Sequence, residues 1–354
     1  MKISAGAAAT GGVVLLLGLI LRGDRVAASY LAMYSATVAA AIGVLLMVMI
    51  AHLSGAVWFV PFRGTAETII GALPWLAVLA IPLVISSPAG TAHFTLHAVM
   101  YWVVWLVIGE LLLRNSRQAA REVQDQRGPR LTVISAAGIP AAALALTFAA
   151  FDWMMSLSPG WSSTVYGPYV CTGGMMAALA VLAVAGAASR DEPITAGREH
   201  YQSLGQLLLA CVLLWAYLWY SQFFIIWIAS VPREVSWYVV RFASPWRGLT
   251  NTLIVTAFLI PFLVLLFRAA RGSRGLMVGL GMWLLIAHYA DVYWLVVPSM
   301  RSRWVPSDLI WDLAAALFLI GSTAAIALRR RGTSPVTFVN DDAAFEAALR
   351  YQAP

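Results

Sequence analysis

The residues of this sequence that could do chemistry are a few ionisable side chains set inside long apolar runs. His288 and Asp291 lie three residues apart in one such run, and we term their depth the outer level. Residues three apart share a helix face, so the carboxylate could hold the imidazole in one tautomer. A couple of this kind can accept a proton, which suits a proton relay or quinol oxidation. A structural pair that bonds neighbouring helices is the alternative.

Asp152 is a second acidic residue at the outer level, about one helical turn from the end of its own run. It is a candidate for the same proton pathway, and solvation at an interface or capping of the next loop is the alternative. Three polar residues at a similar depth are predicted to line the pathway or a quinone-associated surface: Tyr220, Ser221 and Gln222.

A second group of ionisable residues marks the opposite, inner level. Arg63 and Glu67 are four residues apart, and Glu110 and Arg114 repeat that spacing. Each pair is either an ion pair within one helix near an interface or part of the inner mouth of a proton pathway. With His52 at the same depth, the inner pathway candidates are His52, Arg63, Glu67 and Glu110, about 20 Å of helix rise from the outer group.

The sequence predicts neither a metal site nor a redox cofactor bound by this chain. His93 and His97 are one turn apart, but no third His or Cys accompanies them. Cys171 and Cys211 lie in apolar runs without a partner at ligand spacing, which is typical of buried thiols. A haem would have to draw on His93 or His97 together with His288, so haem ligation is not expected.

The elements that must position these residues are transmembrane helices. Of 354 residues, 61% are hydrophobic and 11% are charged, and the mean hydropathy is +0.80, which excludes a solvated globular surface. The runs are continuously apolar over about 20 residues, which favours helices that satisfy their own backbone hydrogen bonds in lipid. The net charge of +7 comes from 23 basic residues scattered between these runs, a pattern of membrane topology rather than of nucleic-acid binding.

Ten spans are predicted, and together they form one transmembrane domain over residues 1–330, followed by a short cytoplasmic tail at 331–354. Their expected bounds are 4–22, 26–54, 66–86, 92–113, 131–153, 164–187, 202–229, 250–268, 275–298 and 308–328. A short surface helix is expected over residues 341–351 of the tail, capped at Asn340 or Asp341. Asp308 and Asp312 open the last span, where capping of the helix N-terminus is the expected role.

The basic residues predict the orientation of the spans. With an even number of spans, sixteen Lys and Arg lie on the side of the termini and seven on the other side. Because basic residues stay in the cytoplasm, both termini are expected to be cytoplasmic. Nine of the fifteen Trp fall at the outer ends of the spans, which indicates lipid anchoring or a docked partner on the outer face.

A sequence pattern that occurs in two of the spans suggests an internal duplication. Asp152 in span 5 and Asp291 in span 9 are each followed by a proline seven residues later, Pro159 and Pro298. Both spans run outward and they are four spans apart. The pattern fits a parallel repeat of four-helix units, spans 2–5 and 6–9, flanked by spans 1 and 10.

Two stretches resemble a known family. Residues 151–170 read FDWMMSLSPGWSSTVYGPYV, and residues 220–241 read YSQFFIIWIASVPREVSWYVVR. They are similar to the second quinone-binding membrane subunit of the alternative complex III, a bacterial quinol:cytochrome c oxidoreductase, and weaker similarity runs through residues 52–74 and 288–298. One departure is Arg233, where the family usually has the first of two glutamates before Val235.

The resemblance implies an integral subunit of the polysulfide-reductase-like membrane family in a bacterial plasma membrane, with ten helices in two four-helix bundles. It implies a paralogous membrane subunit that carries the quinol site, and cytochrome c and iron–sulfur subunits on the outer face that hold haem and iron–sulfur centres. Within that family the subunit is regarded as quinone-binding or proton-conducting. A secondary transporter and a purely structural anchor for peripheral redox subunits remain the alternatives.

Overall fold

The computed structural model describes residues 2–86, 92–119, 128–188, 195–301, 303, 305–333 and 342–353. All regular structure in these residues is helical. The α-helices are Lys2–Ser54, Arg63–Ile70, Leu73–Val78, Ile81–Ser86, Ala92–Ala119, Gly128–Trp153, Tyr166–Ala188, Arg198–Ala229, Pro232–Phe242, Arg247–Leu253, Ile260–Leu266, Arg268–Arg271, Arg274–Met300, Leu309–Thr333 and Asp342–Leu349. Short 3-10 turns cover Val57–Phe62, Met155–Leu157 and Pro306–Asp308, and a π-helical segment covers Ile254–Leu259.

Within this described part, ten segments are long and apolar enough to cross a membrane, so the chain is an all-α, multi-pass membrane protein, as predicted. We number them as spans 1 to 10: Lys2–Leu21, Gly23–Ser54, Val57–Ile85, Ala92–Arg117, Arg130–Leu157, Tyr166–Ala188, Arg198–Ala229, Arg247–Leu266, Arg274–Met300 and Pro306–Arg330. Most spans extend beyond a predicted bound because helices continue into the polar interfaces, whereas spans 1, 3, 6 and 8 each fall one or two residues short at one end.

Spans 1 and 2 form an antiparallel pair although helical hydrogen bonding runs through their junction. A Cβ built on Gly18 would lie 2.7 Å from Cγ2 of Val26. Eight residues on a straight helix would be about 12 Å apart, so the chain reverses between these two residues. Span 1 then packs along span 10, where Gly11 leaves no room for a side chain against the backbone of Ala314.

The contacts between spans 2 to 9 follow two four-helix units. In the first unit span 2 packs on spans 3 and 5, and span 4 packs on the same two spans. In the second unit span 6 packs on spans 7 and 9, and span 8 packs on the same two spans. Span 2 also contacts span 9, and span 5 contacts span 6. In the predicted repeat span 2 corresponds to span 6 and span 5 to span 9, so a two-fold relation between the units requires both contacts or neither. The contact pattern therefore agrees with the predicted duplication.

The two units meet at a close crossing of spans 2 and 6. A Cβ added to Gly43 would collide with the carbonyl oxygen of Gly174, and one added to Gly174 would collide with that of Ala39. Small residues let the two backbones approach, which gives the van der Waals contact that holds helices together in lipid. The crossing brings the interior of the second unit next to span 2.

Spans 3 and 8 are interrupted helices. In span 3 the helix stops at Ile70 and restarts at Leu73, where Pro74 occupies the first turn of the new helix. In span 8 the π-helical segment Ile254–Leu259 leads into a helix with Pro261 near its start. Proline lacks the N–H group that would continue the ladder, so Pro74 and Pro261 each leave the carbonyl four residues earlier without its helical donor.

The C-terminal segment packs against the inner end of span 7. The helix Asp342–Leu349 lies within the predicted range, whereas the predicted caps Asn340 and Asp341 lie outside the described residues. The Tyr351 hydroxyl is 2.8 Å from Oγ of Ser203, and the backbone N–H of Ala353 donates to Glu199 at 3.1 Å. These bonds fasten the end of the chain to the transmembrane domain.

The predicted orientation can be measured with two exposed positions, Ser162 before span 6 and Gly275 at the start of span 9. In a variant that has Cys171 and Cys211 replaced by Ala, we expect Ser162→Cys to react with an impermeant thiol reagent on intact spheroplasts. Gly275→Cys should react only after permeabilisation, since basic residues flank it. Reaction of Gly275→Cys but not Ser162→Cys on intact spheroplasts would reverse the orientation.

Candidate functional site

Asp291 is the most buried carboxylate at the outer level, with only 2% of its surface exposed. The Tyr169 hydroxyl of span 6 donates a hydrogen bond to Oδ1, and Nε1 of Trp215 in span 7 donates to Oδ2 at 3.1 Å. Both donors are themselves buried. The two oxygens are thus held by two different helices, with no basic side chain in ion-pair contact with them among the described residues.

His288 does not pair with Asp291, and the predicted couple is wrong in this respect. Its Nε2 lies 3.2 Å from the carbonyl oxygen of Ala36 in span 2, which fixes the proton on that nitrogen. Its Nδ1 is buried and has no hydrogen-bond partner in the described part of the chain. Residues three apart share a face, but the close approach of span 2 offers this imidazole an acceptor on another helix.

A small gap lies beside the unpartnered nitrogen of His288. A Cβ built on Gly173 would be 3.6 Å from Nδ1 of His288 and 3.8 Å from Cδ1 of Trp215. The same indole donates to Asp291. The imidazole of His288 and the indole of Trp215 therefore both border the space beside Gly173. An added methyl group would fit there at ordinary contact distance.

Arg241 is a second buried charge, which lies outside the spans in the helix Pro232–Phe242. Its guanidinium donates to the carbonyl oxygens of Trp294 at 3.1 Å, Leu295 at 2.8 Å and Trp237 at 3.1 Å, and to Oγ of Ser299 at 2.9 Å. Burial lowers its pKa to about 9, so it stays protonated at neutral pH.

The position of Arg241 follows from Pro298. Proline has no N–H group, so the carbonyl of Trp294 loses the donor that a helix would supply four residues later. Nε of Arg241 replaces that donor. The guanidinium also lies 3.4 Å from the centroid of the Trp237 ring, and Trp161 stacks against that ring at 4.4 Å. These contacts tie the outer loop, the short helix and span 9 into one unit.

Tyr166 connects the two buried charges. Its ring is 1% exposed, its hydroxyl has no hydrogen-bond partner among the described residues, and it lies within electrostatic range of both Arg241 and Asp291. An unpartnered buried hydroxyl is suited to a bound water or a moving proton.

Asp152 forms a more accessible counterpart in the first unit. Its Oδ2 accepts a hydrogen bond from the Tyr101 hydroxyl at 2.6 Å and lies 3.0 Å from Nδ1 of His97. The carboxylate is 30% exposed and the imidazole 46%. Asp152 is thus bonded to two side chains of span 4, which the alternative of interfacial solvation or loop capping did not include.

The three predicted polar residues of span 7 do not act together. Gln222 is buried, accepts from Ser163 at 2.9 Å and donates to the Tyr238 hydroxyl at 3.0 Å. The Ser221 hydroxyl bonds back to the carbonyl of Leu218, and Tyr220 is exposed. Of the three, Gln222 bonds to the aromatic cluster of Trp161, Trp237, Tyr238 and Trp294. Successive residues of a helix point about 100° apart, so its two neighbours face elsewhere.

At the inner level, Glu67 is the centre of a bridge between spans 3 and 4. Its Oε1 accepts from Nε of Arg63 at 3.0 Å and from Oγ of Ser116 at 2.5 Å, and Nη2 of Arg63 donates to Ser116 at 3.1 Å. Glu67 is buried. The predicted Arg63–Glu67 ion pair is therefore confirmed, and it also holds a second helix.

The other inner candidates have hydrogen-bond partners of their own. His52 places Nδ1 at 3.4 Å from Oγ of Ser135, a weak contact to span 5. Glu110 and Arg114 form the expected ion pair at 2.6 Å, but both side chains are exposed. A position on the outside of the bundle does not fit a route through its interior, so Glu110 is the weakest of the predicted pathway residues.

Asp308 has a role that capping does not describe. It is 1% exposed, and its two oxygens accept from Arg25 at 2.8 Å and from Arg301 at 3.1 Å. It also accepts the backbone N–H of Val305 at 3.4 Å, which is the expected capping contact. Asp312 accepts the Tyr289 hydroxyl at 2.9 Å instead. These bonds join the start of span 2, the end of span 9 and the start of span 10.

Sequence reasoning found the two outer carboxylates but missed their partners. Tyr101, Tyr169 and Trp215 carry no signal of their own among the 12 Tyr and 15 Trp of the chain. The sequence does contain one signal for Arg241. Pro298 leaves the carbonyl of Trp294 without a helical donor, and a basic residue can supply that donor. Within the described residues, no group of His, Cys, Asp and Glu side chains is placed to hold a metal ion.

The chain matches no model of a known protein family, and it matches none of the curated proteins. The resemblance of residues 151–170 and 220–241 stands beside these findings. Those two stretches contribute Asp152, Trp161, Tyr169, Trp237 and Arg241 to the clusters described above. The quoted stretches therefore overlap the structural clusters in part, since Asp291 and Trp215 lie outside them.

Proposed function

We propose that this chain is a membrane subunit of a quinol:cytochrome c oxidoreductase that resembles the alternative complex III, and that it carries protons rather than electrons. It would sit in a bacterial plasma membrane with both termini cytoplasmic. Its partners would be a paralogous membrane subunit with the quinol site and outer cytochrome c and iron–sulfur subunits that hold the redox centres.

The observation that carries the proposal is the setting of Asp291. A carboxylate in an apolar bundle costs several kcal/mol as an ion and is retained mainly where it has a function. Here it is held by two hydrogen-bond donors, and no described basic side chain forms an ion pair that would fix its charge. A carboxyl group in this setting can exchange between its charged and neutral forms, which is what a proton relay requires.

The second support is the pair of carboxylates at matched positions. Asp152 in span 5 and Asp291 in span 9 each accept a tyrosine hydroxyl. One is partly exposed and the other is fully buried. In the proposed mechanism Asp152 and His97 exchange protons with the outer aqueous phase, and Asp291 holds a proton inside the second bundle.

No electron-transfer step falls on this chain in the proposal. A quinol that is oxidised releases two electrons and two protons. The electrons go to the redox centres of the partner subunits, and the protons are taken by carboxylates of the kind described here. For a quinone-associated contact we propose Gln222 together with Tyr238, because Gln222 donates to the Tyr238 hydroxyl and the Tyr238 ring packs against Trp294.

We expect Asp152→Asn to slow quinol-driven cytochrome c reduction in the assembled complex, because the amide keeps the shape but cannot carry a proton. The effect should be smaller than for a fully buried relay residue, because 30% of the Asp152 side chain is exposed. Turnover and proton uptake are measured together in proteoliposomes. Ser156→Ala is the matched control, because it removes a bond to the backbone oxygen of Asp152 and leaves the carboxylate in place.

A secondary transporter is the second candidate, favoured by the interruptions of spans 3 and 8. Broken helices expose backbone groups that can bind a substrate or an ion. The two interrupted spans are also five spans apart, as an inverted repeat of five spans would require. The helix contacts follow four-helix units instead, so this candidate ranks below the first. Substrate-dependent uptake by proteoliposomes that contain the chain alone would favour the transporter.

A further inference from the structure

A cavity of about 270 Å³ lies between the interruption of span 3 and the inner end of span 10. Its lining is part apolar and part basic: Pro74, Trp75, Ile326, Arg329 and Arg330. It lies away from Asp291 and Asp152 and has no part in the proposed proton pathway. Ile326 lies about one helical turn before Arg329 and Arg330 on span 10. The apolar and basic parts of the lining are therefore separated along the helix axis.

The interruption of span 3 positions one of the two arginines. The N–H group of Trp75 turns to the carbonyl of Ala72 at 2.9 Å, which leaves the Gly71 carbonyl without its usual helical donor. Nη1 of Arg330 donates a hydrogen bond to that carbonyl. This bond orients the guanidinium at the wall of the cavity, and a guanidinium group stays positively charged at any physiological pH.

Two further groups of the cavity can serve a ligand. Nε1 of Trp75 is buried and has no hydrogen-bond partner in the described part of the chain. Arg329 is exposed and forms no ion pair with a described carboxylate. Beside them, Pro74 and Ile326 offer a surface suited to hydrocarbon. The combination is two cations, one N–H donor and an apolar wall.

We propose that this cavity binds a phosphate group, carried by an anionic phospholipid whose acyl chain lies along Pro74 and Ile326. Guanidinium groups pair with phosphate through parallel hydrogen bonds, and the indole N–H supplies a further donor. Arg329 and Arg330 end span 10, so we expect them at the depth of the lipid head groups, where basic pockets between helices bind anionic lipids. A free inorganic phosphate shares the head-group chemistry but makes no use of the apolar wall.

Binding of fluorescent phosphatidylglycerol to the full-length chain in detergent micelles tests the proposal. We expect saturable binding, with fluorescent phosphatidylcholine as the uncharged comparison. Arg329→Gln should weaken binding about tenfold, as the loss of one charged hydrogen-bond donor implies. Trp75→Phe keeps the ring and removes the N–H, so it should weaken binding less. Arg117→Gln, at the exposed end of span 4, is the control and should bind like the wild type.

The competing ligand separates the two sources of phosphate. If millimolar inorganic phosphate leaves the lipid bound, the lipid-borne form is supported. If inorganic phosphate displaces the lipid and binds with the same dependence on Arg329, the site takes free phosphate and the lipid proposal is overturned. Equal binding of phosphatidylcholine, or wild-type binding by both Arg329→Gln and Trp75→Phe, would overturn it as well. A folded Arg329→Gln protein is expected, because that side chain is exposed.

Discussion

Asp291→Asn should slow quinol-driven cytochrome c reduction by about tenfold or more in an assembled complex, on the scale of the loss of a positioned proton-transfer group. The amide has nearly the shape of the carboxylate but no titratable proton. Proton uptake per electron should fall with the rate. The measurement follows both quantities in proteoliposomes after the subunit composition of the variant complex has been checked.

Trp215→Phe is the matched control for Asp291→Asn. It removes the hydrogen bond to Oδ2 and keeps both the aromatic ring and the carboxylate. A structural role for Asp291 predicts that the two variants behave alike, whereas a relay role predicts that only Asp291→Asn loses proton transfer. Normal turnover and normal proton uptake by a fully assembled Asp291→Asn complex would remove this carboxylate from the pathway.

The second large effect is expected from Arg241→Ala. The change removes four hydrogen bonds, three of them to backbone carbonyls in the interior. Each buried carbonyl that loses its donor costs about 1–3 kcal/mol, offset in part because the burial of a charge is also removed. We expect the midpoint of thermal unfolding in detergent, followed by tryptophan fluorescence, to fall by about 5 °C or more.

Arg247→Ala is the control for Arg241→Ala. Arg247 is exposed and donates one bond to the carbonyl of Phe242 at 2.9 Å. Its loss should shift the midpoint only slightly. Arg241→Lys keeps the charge but cannot reach all four acceptors, because an ammonium lacks the planar fork of a guanidinium. A midpoint for Arg241→Ala equal to that of Arg247→Ala would contradict the structural role.

Much of the fold could be predicted from the sequence because the bilayer leaves few choices. Apolar runs of about 20 residues must be helices in lipid, and the ten predicted spans match the ten observed in the described part. The spacing of Asp152 and Asp291 from their prolines suggested a repeat, and the contacts between the helices agree with it. The interruption of span 3 was not predicted, since Pro74 can begin a helix as well as end one.

The candidate site could be predicted only in part. Acidic residues are rare in apolar runs, so Asp152 and Asp291 can be identified from the sequence as candidate site residues. Their partners come from other helices, and no local pattern in a tyrosine-rich and tryptophan-rich sequence selects Tyr169 or Tyr101. The predicted His288–Asp291 couple failed for the same reason, because spacing along one helix carries no information about the acceptor that span 2 presents.

Purification of the chain from its native membrane tests directly whether it is a subunit of a quinol:cytochrome c oxidoreductase. A tag on the full-length protein should bring down a complex that contains c-type haem and iron–sulfur centres and that reduces cytochrome c with quinol. We expect the haem spectrum and the quinol-dependent activity to remain with the tagged chain through gel filtration. A tagged chain that elutes alone, without haem and without quinol-dependent activity in any fraction, would contradict it.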